Sequence, residues 1–123
     1  MNIPTNLKYT NDHEWINIEN GIAIIGITDY AQNELGDIIF IEFPDIGAHC
    51  NAGEPIGTIE AVKTVTDLYS PIKGRIAEIN TNLDDMPDSI NKDPYETGWI
   101  IKLDSIEVNK SSLLSAKQYE KLI

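Results

Sequence analysis

Lys63 stands in the stretch "EAVKTVTDLYSP", Glu60 to Pro71, among small and β-branched residues with turn signals on both sides. A primary amine can be acylated or act as a nucleophile, but in a hairpin turn a lysine is most often a solvated charge. Its spacing sets Lys63 apart. Gly47 lies 16 residues before it and Gly74 lies 11 after it. Each glycine is read as a tight-turn position that tolerates no Cβ. The strand-like "IGTIEAV" leads in and "DLYSPIKG" leads away, which places Lys63 at the tip of a hairpin.

No other set of residues offers catalytic chemistry. His13 and His49 are far apart and fit no zinc-ligand spacing. There is no nucleophile elbow and no glycine-rich phosphate loop. Cys50 follows His49 directly. Neighbours on a strand point to opposite faces, so Cys50 is expected as a small packed hydrophobe rather than a nucleophile. The expectation is a protein with no catalytic residues and no metal site.

The elements that must hold the lysine are mostly short strands. "HEWINIENGIAIIGIT" breaks at Asn20 and Gly21, a pair favoured in tight hairpins because both accept positive φ. In "TDYAQNELG", Asp29 and Gln32 have capping-box spacing and Gly36 suits a helix end. "DIIFIEFP" reads as a buried strand ended by Pro44. "GAHCNAGEP" reads as a loop, "RIAEIN" and "WIIKLD" as strands, and "TNLDDMPDSINKDPYETG" as a long surface loop. Ser115 and Gln118 form a second capping-box pattern, opening a helix over about residues 115–123 with Ala116, Tyr119 and Leu122 or Ile123 on one face. Trp15 and Trp99 are expected in the core, and Pro71 and Pro94 as loop setters. The fold class is mostly β, a flattened barrel or sandwich with short helices near the N-terminal third and at the C-terminus.

The bulk composition narrows the partners. The chain has 123 residues, the length of one domain, with its core over about residues 21–104. A net charge of −11 disfavours nucleic acid and anionic membranes and favours basic docking surfaces. The single cysteine rules out an internal disulfide. "MNIPTNLKYTND" reads as neither a signal nor a transit peptide, and no apolar run approaches membrane-spanning length, so a cytoplasmic protein is expected.

The lysine hairpin resembles those of lipoyl and biotinyl carrier domains. Over nearly its whole length the chain is similar to the glycine cleavage system H-protein family, through "YTNDHEW", "GITDYAQNELGDIIFIEFPDIG", "EAVKTVTDLYSPIKG" and "NKDPYETGWIIKL". Biotin carriers usually have methionines on both sides of their lysine. Val62 and Thr64 stand there in this chain, which favours lipoate. The family often has serine where this chain has Ala61, and small residues at Thr64 and Val65; these departures leave the turn intact.

The resemblance implies (R)-lipoate in amide linkage to Lys63, attached by a lipoate ligase or octanoyltransferase. Glu60, Val62 and Thr64 are the candidates for what that enzyme reads, with solubility of a strand edge as the alternative role for Glu60. The resemblance also implies three enzyme partners. A pyridoxal-phosphate glycine decarboxylase loads the arm with an aminomethyl group, a tetrahydrofolate-dependent aminomethyltransferase unloads it, and a FAD-dependent dihydrolipoyl dehydrogenase reoxidises it with NAD. The carrier itself is expected to be monomeric. An aminomethyl sulfide loses its carbon as formaldehyde when the nitrogen lone pair expels the thiolate, and a nearby carboxylate keeps that nitrogen protonated. Glu14 and Asp67 are the candidates, with Asp12 as a third acid where the family commonly has serine. The alternatives are an H-like protein relaying lipoyl groups to other complexes, and a biotin carrier domain.

Overall fold

The computed structural model describes residues 1–123. Nine antiparallel strands build two sheets. The larger has the order β1 (Lys8–Tyr9), β2 (Glu14–Glu19), β3 (Ile22–Ile27), β9 (Ile101–Glu107), β8 (Lys73–Ile79), β5 (His49–Cys50). The smaller has the order β4 (Ile38–Glu42), β6 (Pro55–Ala61), β7 (Val65–Tyr69). Neither sheet closes on itself, so the architecture is the sandwich form of the expected fold. Inward residues of both sheets, among them Ile25, Ile41, Ile59, Leu68, Ile76 and Leu103, share one core. A second cluster of Leu7, Tyr9, Trp15, Ala116 and Tyr119 seats the C-terminal helix α4 (Ala116–Leu122).

Local chemistry sets several elements as expected. Asn20 and Gly21 take φ of 51° and 77° between β2 and β3, matching the backbone of a type I′ hairpin. Gln118 donates its backbone N–H to Ser115 Oγ at 3.2 Å, and its side chain accepts the Ser115 N–H at 2.8 Å, closing the capping box of α4. Trp15 is buried and Trp99 half-buried.

Other readings need correction. The N-cap of α1 (Asp29–Leu35) is Thr28, which accepts the Ala31 N–H; Asp29 is already helical and takes a hydrogen bond from Gln32 Nε2. The supposed long loop contains α2 (Asn82–Asp85) and α3 (Ser89–Lys92), each burying one apolar residue, Leu83 and Ile90. "GAHCNAGEP" includes the two-residue strand β5. In β4 a bulge between Ile38 and Phe40 turns both Ile39 and Phe40 outward, so this is not a wholly buried strand. On α4 only Ala116 and Tyr119 are buried, and Leu122 and Ile123 face solvent. Gly47 occupies a left-handed turn at φ 92°, as expected. Gly74, however, lies inside β8 opposite Cys50. A Cβ on Gly74 would stand 3.1 Å from the Asp104 carbonyl oxygen and 3.2 Å from Ile106 Cγ2, so it is a close-approach glycine rather than a turn glycine.

Candidate functional site

The β6–β7 hairpin carries Val62, Lys63 and Thr64 in its turn, all exposed. Ala61 N donates to Thr64 O at 2.8 Å and closes the turn. Val62 N donates to Asp37 O at 3.0 Å, tying the turn to the segment between α1 and β4. That segment is itself clamped by Asn91 of α3. Its side-chain amide donates to Gly36 O at 2.8 Å and to Gln32 Oε1 at 3.0 Å, and its Oδ1 accepts from Ile38 N at 3.0 Å. The tip is therefore stiffly supported although its side chains are free, which suits presentation of an amine to other proteins. Neither the clamp nor Asn91 was legible in the sequence.

The Lys63 stem lies along the end of α1. A Cβ placed on Gly36 would stand 3.7 Å from Lys63 Cε and 3.8 Å from Nζ. From that point α1 forms one wall of a cleft of about 280 Å³, to which it contributes Tyr30, Ala31, Glu34 and Leu35. Ile27, Ile59 and Leu68 add apolar lining, and Asp12, Glu14 and Asp67 all border the same space. Asp67 thus converges with Asp12 and Glu14 from 53 residues away in the chain, while His13 and Glu34 are cleft residues that sequence reading missed. A larger groove of about 590 Å³ beside Tyr95 and Trp99 includes no residue of the lysine hairpin.

Glu14 is the unusual acid. It is 2% exposed, and its Oε1 accepts a hydrogen bond from Thr10 Oγ1 at 2.7 Å. Its Oε2 accepts the Tyr69 N–H at 3.4 Å. Burial pushes its pKa from the ordinary 4.5 to about 7, with the Asp12 charge pushing the same way and the two hydrogen bonds opposing. Asp12 and Asp67 are exposed at the cleft border. His13 takes a left-handed φ of 66°, and its Nδ1 shares a 2.9 Å hydrogen bond with Tyr119 Oη, which also bonds Thr28 Oγ1 at 2.7 Å. Helix α4 thereby braces the cleft wall from behind.

The remaining candidates sort plainly. Glu60 lies between Phe40 and Val65 across the small sheet. His49 is exposed and Cys50 is buried against Ser70 Oγ and Gly74 O, so the two face apart. No group of three or more His, Cys, Asp or Glu side chains has the arrangement of a metal site. No helix is long and apolar enough to cross a membrane.

The glycine cleavage H-protein family model matches residues 7–123. The chain belongs to the glycine cleavage H-protein family. It is 50% identical over 124 aligned positions to the glycine cleavage system H protein of Bacteroides thetaiotaomicron, covering 100% of this chain and 98% of that one. It is 48% identical over 124 positions to that of Staphylococcus epidermidis, with the same coverage. A crystal structure of a glycine cleavage system H protein from Mycobacterium marinum superposes with a TM-score of 0.88 at 39% identity, covering 97% of each chain. As an H protein of this family, the chain is a lipoyl carrier of the glycine cleavage system, and its sandwich is of the lipoyl-domain type.

Proposed function

We propose that Lys63 bears the lipoyl group in amide linkage, and that the acidic cleft receives the far end of this arm when it is loaded. One observation carries the reading: α1 joins the two places, with Gly36 beside the Lys63 stem and Tyr30, Ala31, Glu34 and Leu35 lining the cleft. The residues suit the group, since an apolar wall of Ile27, Ile59 and Leu68 matches an aliphatic arm and the carboxylates match a cationic terminus. When attached, the lipoyl group would supply a disulfide that is reduced as it takes up the aminomethyl group of glycine, and a dithiol that gives up two electrons once that group has been passed on.

The chain's own residues contribute retention. Burial raises the Glu14 pKa to about 7, so this carboxyl takes up a proton far more readily than an ordinary surface glutamate. An ammonium arriving beside it favours the carboxylate, so a proton leaves Glu14 as the cation enters. Glu14 then holds the amine in its protonated form, without the lone pair that would expel sulfur and lose the carbon as formaldehyde. Asp67 and Asp12 add negative charge at the border. Thr10 and the Tyr69 amide hold the Glu14 carboxylate in place.

On this reading the protein is a non-catalytic, monomeric, cytoplasmic carrier, one domain over residues 1–123. Tethering gives each docked enzyme a high local concentration of the arm. Those enzymes are the glycine decarboxylase, the aminomethyltransferase and dihydrolipoyl dehydrogenase. A lipoate ligase or octanoyltransferase installs the arm at a turn marked by Glu60, Val62 and Thr64. The test is loss of formaldehyde and ammonia from the glycine-loaded carrier. The pair Glu14→Gln and Asp67→Asn is expected to speed that loss about five- to thirtyfold, the consequence of removing about one to two kcal/mol of charge pairing. Loss at the wild-type rate would refute the protective role.

A further inference from the structure

Lys63 emerges beside a group of exposed apolar residues, a partial collar. Ile39, Phe40, Val62 and Val65 are 55%, 49%, 69% and 57% exposed; Val62 and Val65 flank the lysine in the hairpin, and Phe40 with the bulged Ile39 lies on the strand paired with its first arm. Regular pleating would bury one of two consecutive strand residues, yet the β4 bulge turns Ile39 and Phe40 outward together. Strand register lines up Phe40, Glu60 and Val65 side by side across β4, β6 and β7, and the next row holds Glu42, Thr58 and Asp67. Glu42 and Asp67 thus stand one row beyond the collar and the exposed Asp37 beside it, while Glu60 lies within it between Phe40 and Val65. Between Lys8 and Lys73 the chain has eleven carboxylates and one Lys or Arg, Lys63 itself.

We propose that this collar is the docking surface for the enzyme that acylates Lys63, and that the enzyme's matching face is apolar with a basic rim. The inference rests on the reading that Lys63 is the attachment point. Reach selects this partner over the others. To be acylated, the Lys63 amine must enter an active site on its own four-carbon stem, so the enzyme has to cover the surface around that stem. Enzymes that use the finished arm meet its distal end and need not touch the collar. Charge agrees, since a basic rim is steered toward the carboxylates Asp37, Glu42, Glu60 and Asp67 in and beside the collar. In the step served, the free amine of Lys63 attacks the carbonyl of a lipoyl-adenylate formed from lipoate and ATP. The C–N bond forms, the C–O bond to AMP breaks with its electron pair, and the amine proton passes to solvent.

Initial rates of lipoate attachment, followed by intact mass with a lipoate ligase, ATP and lipoate, test the proposal. Phe40→Ser with Val65→Thr is expected to lower kcat/KM about tenfold or more, mainly through KM, the size of effect typical of central apolar contacts. A Lys63→Arg variant cannot be acylated. With an intact collar it is expected to inhibit the ligase competitively, and with the collar substitutions to inhibit about tenfold less well. Attachment and inhibition at wild-type strength in the collar variants would overturn the proposal. So would unchanged attachment with loss of aminomethyl transfer, which assigns the collar to a later partner, or a wild-type dimer that the substitutions dissociate, which assigns it to a second copy of this chain. If the wild-type chain itself takes no lipoyl group, the reading of Lys63 fails and the inference falls with it.

Discussion

Thr10 Oγ1 donates a 2.7 Å hydrogen bond to Oε1 of Glu14, four residues later, and this bond is made inside the wall of the cleft. It stabilises the carboxylate in a place where burial disfavours charge, and burial wins: the pKa of Glu14 rises from 4.5 to about 7. The sign for stability follows. Below pH 4.5 both folded and unfolded chains hold the proton. Between 4.5 and 7 only the folded chain does, so stability falls as pH rises through that window and levels off above it. Glu14→Gln removes this slope and is expected to gain up to about 3 kcal/mol over the wild type at pH 8, with no gain at pH 4. Urea unfolding across the range measures it. Thr10→Val acts oppositely and is expected to cost about 1–3 kcal/mol above pH 7.

Asn91 reaches the lysine turn through two intermediaries. It clamps the segment around Gly36 and Ile38, and the Asp37 carbonyl in that segment accepts the Val62 N–H. Asn91→Ala leaves three hydrogen-bonding groups without their partner and is expected to cost about 2–4 kcal/mol. Hydrogen exchange at the Val62 and Ile38 amides should accelerate more than exchange in the β2–β3 hairpin. Equal acceleration in both places would show a global loss rather than a loosened tip.

The two glycines that bracket Lys63 are needed for different reasons, and substitution separates them. Gly47 has room for a Cβ, which would meet Arg75 Nη1 at an ordinary 3.9 Å, but its φ is 92°, so Gly47→Ala is expected to cost about 1–2 kcal/mol and Gly47→Asn less. Gly74 lacks room, with the Asp104 carbonyl 3.1 Å from its Cβ position. Gly74→Ala is expected to cost about 1–3 kcal/mol and Gly74→Asn more. Thermal unfolding of the four variants gives the order directly.

Features set by neighbouring residues could be read from the sequence. The lysine hairpin, the Asn20–Gly21 turn, the capping box at Ser115 and the left-handed Gly47 each depend on a few local side chains. Features set by the rest of the fold could not. The continuous apolar run at Ile38–Ile41 gives no sign of the bulge that exposes Ile39 and Phe40. Helices α2 and α3 are one turn each, too short for a 3.6-residue period to show. The approach of Asp67 to Asp12 and Glu14 came from family resemblance, because nothing in the local sequence brings it to that pair. Asn91 left no signal, since a polar residue in a polar stretch looks solvated whether or not it is a clamp.

The most direct measurement is the intact mass of the purified chain after incubation with lipoate ligase, ATP and lipoate, followed by peptide mapping. The expected result is a gain of one lipoyl group, confined to Lys63 and absent from Lys63→Arg. An unchanged mass, or a lipoyl group on any other residue, would contradict it.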